Sequence, residues 1–365
     1  MFARRLGQAA LSLCLLAPFA SQAGPYSGIY VFGDSLSDGG SDFALSSAIH
    51  ALNPAFPVTP GAPADFMGRF SNGKVAVDYL ATSLGLALTP HYLTPPFLGG
   101  AVGGNNYAQG GATSGLENAS LPGTLPGGLV TGFKGMTGEV NDYRASHAVA
   151  DPGAVYVVWA GANDFIHPGA TAILPACMGI GSPAGQAICT AATNVANAVA
   201  VLAALGAHNI LVPNLPDLGK TASAYAQGPA YQAGATALTL GFNNALGAAL
   251  AGVSGLFPRS VIPFDTFSLF NQILADPLSY GFFDTTHACL TGGSESASST
   301  ISAACAAIGQ DHYIFWDGIH PTTATQAILG QRFAAALGVP EPSELALLSL
   351  GLIALLAARA RRRVR

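Results

Sequence analysis

Charged side chains are scarce in this 365-residue chain, making up 9% of it, where an ordinary cytosolic domain carries roughly a quarter. So low a charge density, with half the residues apolar and with 45 glycines and 24 prolines, indicates an exported, loop-rich protein. It speaks against a helical bundle or a disordered tail. No Cys-x-x-Cys or His-x-x-x-His spacing occurs, so no metal site is expected. Between about residues 28 and 337 there is neither a long linker nor an internal repeat, which suggests one domain with a sizeable core.

What is present begins with two unusual ends. Arg4 and Arg5 precede an apolar stretch over 9–19 and the small-residue site Ser21-Gln22-Ala23, the layout of a secretory signal, so residues 1–23 are expected to be removed. Cys14 is apolar filler of that signal. At the other end, Val339-Pro340-Glu341-Pro342-Ser343 leads into an apolar run over 345–358 and then Arg359, Arg361, Arg362, Arg363 and Arg365. The run is shorter than the ~20 residues of a comfortable transmembrane helix, but arginines snorkel and bilayers thin. The arginines are expected to stay cytoplasmic. This tail, 339–365, resembles the PEP-CTERM sorting signal of Gram-negative bacteria, in which a short helix anchors the protein until an exosortase-type protease cuts near the tripeptide. The resemblance implies signal peptidase and such a protease as processing partners. It also implies transient inner-membrane anchoring, then a periplasmic, cell-surface or extracellular destination.

Without its ends the chain keeps seven basic against 17 acidic residues between 24 and 338, about ten net negative charges. Such a surface repels nucleic acid and anionic membranes. Four cysteines remain there, Cys177, Cys189, Cys289 and Cys305. In an exported protein an even count suggests disulfides, and the local pairings Cys177–Cys189 and Cys289–Cys305 are the simplest of three connectivities.

Short apolar runs alternate with helical stretches, the mark of a parallel sheet covered by helices on both faces. Strands are expected at 29–32, 105–108, 154–159, 209–212 and 260–264, and helices at 75–84, 191–205, 230–251 and 322–337. Gly/Pro-rich loops fill 51–70, 91–104 and 117–132; long loops of this kind often build binding sites. Ligands of open parallel sheets sit at the carboxyl ends of the strands. Ser35 and Asn163 both follow strands, on that rim.

Four short motifs carry the chemistry. Phe32-Gly33-Asp34-Ser35-Leu36-Ser37-Asp38 puts a serine directly after a strand, where the chain is expected to turn into a helix and leave backbone N–H groups facing an anion. Alone, it far more often marks a helix cap than catalysis. Gly110-Gly111 permits close backbone approach, and Gly161-Ala162-Asn163-Asp164 offers a carboxamide donor at the rim, though each also suits a turn. Asp317-Gly318-Ile319-His320-Pro321 spaces a carboxylate to reach one imidazole nitrogen while the other is expected to face Ser35, with Pro321 expected to open the closing helix. A serine hydroxyl is a weak nucleophile until a positioned base takes its proton, and that base needs a group to fix its tautomer. The other histidines have no such frame.

In this order the motifs resemble the GDSL, or SGNH, family of esterases and lipases, over almost the whole of 24–338. Asn106-Tyr107-Ala108-Gln109-Gly110-Gly111-Ala112 matches the second block, and Gly68-Arg69-Phe70-Ser71-Asn72-Gly73 fits the longer, secreted bacterial branch. The resemblance implies a three-layer α/β/α sandwich with a central parallel sheet, flavodoxin-like in plan. It implies a triad of Ser35, His320 and Asp317, and an oxyanion hole from the Ser35 N–H, Gly111 and Asn163. The implied activity is cofactor-free hydrolysis of carboxylic esters through an acyl-enzyme. Substrates in that family include short acyl esters, lipids and acylated sugars. One departure lies downstream of the nucleophile, where Gly40 is followed by Ser41 rather than asparagine. A Gly-x-Ser-x-Gly elbow, the sign of another lipase fold, is absent.

Overall fold

The computed structural model describes residues 25–339, Glu295 excepted. The expected signal and sorting tail lie outside the described residues.

Four parallel strands, β1 (Ile29–Gly33), β2 (Val155–Trp159), β3 (Asn209–Pro213) and β4 (Val261–Phe264), form the central sheet in that order. β2 reads Val-Tyr-Val-Val-Trp and is buried throughout, as a central parallel strand must be when both of its faces are covered. Because successive side chains point to opposite faces, Tyr156 and Val158 enter one core and Val155, Val157 and Trp159 the other.

The first core is closed by α3 (Met136–Ser146), α4 (Pro183–Ala204) and α5 (Pro229–Leu256), through Tyr143, Val199 and Phe242 among others. The second is closed by α2 (Ala76–Leu84), α6 (Thr266–Ala275) and α7 (Thr323–Ala336), with Leu80, Ile273 and Phe333 inside. The result is the expected sandwich of a parallel sheet between helical layers. α1 (Ser41–Leu52) precedes α2. A second, two-stranded parallel pair joins β5 (Asp284–Ala288) to β6 (Tyr313–Phe315), and β6 runs straight into Asp317.

Several boundaries differ from the sequence expectation. The helix expected from 191 starts at Pro183, where Ser182 caps it by accepting the Gly185 N–H. Proline at the first helical position gives up no intrahelical hydrogen bond. The segment expected as a strand at 105–108 bonds to β1 through Val31 and Tyr107 but is not a regular strand. There the Asn106 side chain takes the Ala108 N–H and diverts the backbone. No helix follows Ser35 at once. Residues 35–37 make a turn closed by Ser37 and Asp38 N–H groups on the Asp34 carbonyl, and α1 begins only at Ser41. Pro321 does not open α7: it bridges to Phe315, and Thr322 is the cap.

Two disulfides are present, Cys177–Cys189 and Cys289–Cys305, the local pairings.

Candidate active site

The site is assembled at the carboxyl ends of β1, β2 and β6. Gly33 ends β1 because a Cβ there would lie 2.2 Å from the Trp159 carbonyl oxygen; glycine lets β1 pack on β2 up to its last residue. The turn beyond it presents Ser35, which is buried to 8% exposure.

Ser35 and His320 are 285 residues apart in sequence, yet Ser35 Oγ and His320 Nε2 lie 2.7 Å apart. His320 Nδ1 lies 2.7 Å from Asp317 Oδ2. With the Nδ1 proton donated to the carboxylate, Nε2 is left as an acceptor for the serine hydroxyl. The Asp317 Oδ1 oxygen accepts the backbone N–H groups of Ile319 (2.9 Å) and His320 (2.7 Å), so the three-residue spacing closes the loop on its own carboxylate. Burial alone would push the Asp317 carboxyl up. The opposed charge of His320, its imidazole N–H, the Ser294 hydroxyl and the His320 backbone N–H outweigh burial and hold the carboxyl well below the usual range. The Phe70 ring covers the imidazole, with centroids 5.1 Å apart.

Asn163 opens a single helical turn after β2, and its Nδ2 donates to the Ala112 carbonyl at 2.9 Å. Gly111, one residue earlier, has φ +72°, and a Cβ there would lie 2.6–2.8 Å from Ser120 and Asn118, so only glycine fits. Ser35, His320 and Asn163 line one narrow, mostly apolar cleft with Trp159, Phe270 and Ile319. Gly111 is not among the residues lining that cleft; it is joined to the site through Ala112.

A set of buried carboxyls supports these pieces. Asp38 accepts the N–H groups of Gly40, Ser41, Asp42 and Gly110. Asp164 accepts from Ser114 and Thr171. On α3, Glu139 Oε2 accepts the Gly33 N–H at 2.8 Å, and burial drives its carboxyl well above the ordinary value. Burial likewise raises Asp34 to about 7, despite the Leu36 N–H and the nearby His320. The half-buried Asp65 carboxyl also rises to about 7, chiefly through burial, although Trp316 Nε1 donates to it.

Glu139 and Asp65, like Ser294 beside Asp317, carried no local signal, since each lies in a stretch without a motif. Asp38 sat in the first block, but only its bond to Gly110 reveals what it holds. Among the described residues no three histidine, cysteine or acidic side chains gather as a metal site.

The helix-flanked parallel sheet makes this a protein of the α/β class, and a serine bonded to an imidazole at its strand ends is an arrangement suited to hydrolysis. More narrowly, it belongs to the GDSL-like lipase/acylhydrolase family, which it matches over residues 29–333, and is thus a hydrolase acting on ester bonds. Similar proteins include one from the trpE-trpG intergenic region of Pseudomonas putida, uncharacterized, 30% identical over 92% of this chain and 52% of its own length. A GDSL esterase/lipase of Arabidopsis thaliana is 28% identical over 82% of this chain and 86% of its own. The thermolabile hemolysin of Vibrio parahaemolyticus is 25% identical over 83% of this chain and 62% of its own. The chain spans about half the length of the Pseudomonas relative.

Proposed function

We propose that the chain cleaves carboxylic esters through an acyl-enzyme on Ser35. The observation that carries the reading is the unbroken relay from Ser35 Oγ through both imidazole nitrogens to Asp317, with both contacts at 2.7 Å. His320 Nε2 takes the hydroxyl proton as Oγ bonds to the ester carbonyl carbon. The carbonyl electron pair moves onto its oxygen, which the Ser35 N–H, Gly111 N–H and Asn163 carboxamide stabilise; each such donor contributes about 3–4 kcal/mol in a water-poor site. The imidazolium then protonates the leaving alkoxide and the alcohol departs. Water, deprotonated by His320, attacks the acyl-enzyme, and Oγ recovers its proton as the acid leaves.

The apolar walls of the cleft favour an ester with an apolar acyl part, as in short-chain acyl esters, lipids and acylated sugars. We further propose 1–23 as a signal peptide, 24–338 as the hydrolase domain and 339–365 as a PEP-CTERM sorting tail. Two disulfides and the low charge content support export.

The test is Ser35→Ala assayed on p-nitrophenyl esters. Activity lost by orders of magnitude in a folded protein is expected; retained turnover would sink the assignment. A panel of acyl lengths and acetylated polysaccharide, with and without an added alcohol acceptor, identifies the substrate and separates hydrolysis from acyl transfer. C-terminal mass analysis of the mature protein tests the tail, and a mature chain ending at Arg365 would refute its cleavage.

A further inference from the structure

We infer that Ser294, a serine outside all four motifs, is a positioning residue: its hydroxyl holds the Asp317 carboxylate in the orientation that His320 requires. The inference rests on the reading of Ser35, His320 and Asp317 proposed above.

Ser294 is 2% exposed. Its hydroxyl donates to Asp317 Oδ2 at 2.5 Å and its backbone N–H reaches the same oxygen at 3.3 Å. Oδ2 is also the oxygen that accepts from His320 Nδ1. Oδ1 is occupied separately by the Ile319 and His320 N–H groups. Each oxygen thus has its own donors, and the carboxylate cannot turn about its bond without breaking charge-assisted hydrogen bonds. Without the serine hydroxyl, Oδ2 would be held on the far side from the imidazole by the long backbone contact alone.

The serine is itself held from three directions. Its carbonyl accepts the N–H groups of Gly61 (2.8 Å) and Ala62 (3.0 Å) from the loop after α1. Its own loop is closed by the Cys289–Cys305 disulfide, whose buried sulfurs pack with Ala62, Tyr313 and Trp316. At the loop's base, Cys289 N–H donates to the Phe315 carbonyl and Leu290 N–H to that of Trp316, the two residues that lead into Asp317. The cystine loop and the aspartate therefore share one platform, and the position of the hydroxyl relative to the carboxylate is built in before substrate arrives.

During the reaction the imidazole becomes a cation, and the carboxylate must stay ionised and aligned to stabilise it. A hydroxyl donor on the same oxygen favours the ionised form and shares its charge. Its removal therefore has two separable effects, a loss of alignment and a stronger pull of the unshared anion on the imidazolium.

The experiment uses the full chain and p-nitrophenyl acetate. Ser294→Ala keeps the backbone bonds to Asp317, Gly61 and Ala62 and removes only the hydroxyl. Expected is a fall in kcat of roughly tenfold, about 1.4 kcal/mol, with KM within about twofold of wild type. The acid limb of the kcat/KM profile, which reports the free imidazole, should move to higher pH. Asp34 and Asp65 also face His320; both are unchanged in every variant, so they cancel in the comparison. Ser294→Thr, which restores a hydroxyl, should return both kcat and the limb. If threonine lowers the melting temperature and so cannot serve, the limb of Ser294→Ala decides alone. A wild-type kcat and limb in Ser294→Ala, or a reduced kcat at an unmoved limb, would overturn the inference, the second outcome marking a merely structural serine. Ser35→Ala is run beside them. Turnover there refutes the triad reading itself, whereas an inactive Ser35→Ala beside a wild-type-like Ser294→Ala refutes only the role of Ser294.

Discussion

Asp38 Oδ2 accepts the backbone N–H of Gly110 at 3.0 Å across 72 residues of sequence. One carboxylate thereby ties the turn that carries Ser35 to the loop that carries Gly111. The same side chain takes the N–H groups of Gly40 and Ser41 at 2.7 Å each and of Asp42 at 3.2 Å. Asp38→Ala would leave these buried donors without their acceptor. An unsatisfied buried donor costs about 1–3 kcal/mol, so a stability loss of about 3 kcal/mol or more is expected by urea denaturation. The surviving folded protein should also lose kcat. A variant as stable as wild type would show that water replaces the carboxylate.

Gly111→Ala is expected to fold poorly or, if folded, to lose kcat by roughly a hundredfold, the scale of one oxyanion donor. Its φ of +72° disfavours an L side chain, and the added Cβ would collide with Ser120 and Asn118. Steady-state kinetics with a melting scan separate the two outcomes. Unchanged kcat in a folded Gly111→Ala would show that the added Cβ does not displace the Gly111 N–H.

Ser35→Ala, His320→Ala and the double variant should share one residual rate, because in the proposed mechanism nucleophile and base act as a unit. Measured kcat values that multiply instead, the double loss equalling the product of the single losses, would mean that the two side chains work independently despite their 2.7 Å contact.

Stability should fall as pH rises from about 4 to about 7. A carboxyl whose folded pKa is raised binds its proton more tightly in the folded state. Its favourable contribution is full below the unfolded value near 3.9 and is lost as pH rises through the folded value. Asp34 and Asp65, both raised to about 7, act in this window. Asp317 is depressed and acts oppositely below it, its contribution being lost as pH falls under about 4. Asp65→Asn keeps an acceptor for Trp316 Nε1 and cannot ionise, so its melting temperature should vary less between pH 4 and 7 than that of wild type. An identical slope would show that Asp65 titrates at its ordinary value in the folded protein.

Each disulfide closes a short loop, the cysteines being 12 and 16 positions apart. Loops of that length correspond to about 3 kcal/mol of unfolded-state entropy. Replacing either pair by alanines should lower stability by about 2–4 kcal/mol. Denaturation of each double variant checks this, and a loss below about 1 kcal/mol would mean that the reduced chain is already held by its surroundings.

Much of the layout could be read along the chain wherever chemistry is local. The apolar run of β2 needs no partner to announce a strand buried on both faces, and Asp317 and His320 are close enough in sequence for their contact to follow from spacing. The disulfide loops are short for the same reason. α4 begins eight residues before the expected start, at Pro183 behind the Ser182 cap. α3 carries too weak an apolar stripe to be recognised before Tyr143 is seen packed beneath β1.

The sequence by itself determined which residue types could do acyl chemistry and roughly where strands deliver them. Only the tertiary structure brought Ser35 to His320 across 285 residues, hung Ser294 over Asp317, and placed Glu139 under Gly33. These contacts are long-range, and a buried serine or glutamate looks like any other until folding removes water from around it. A polar group becomes decisive only when burial leaves it a single partner.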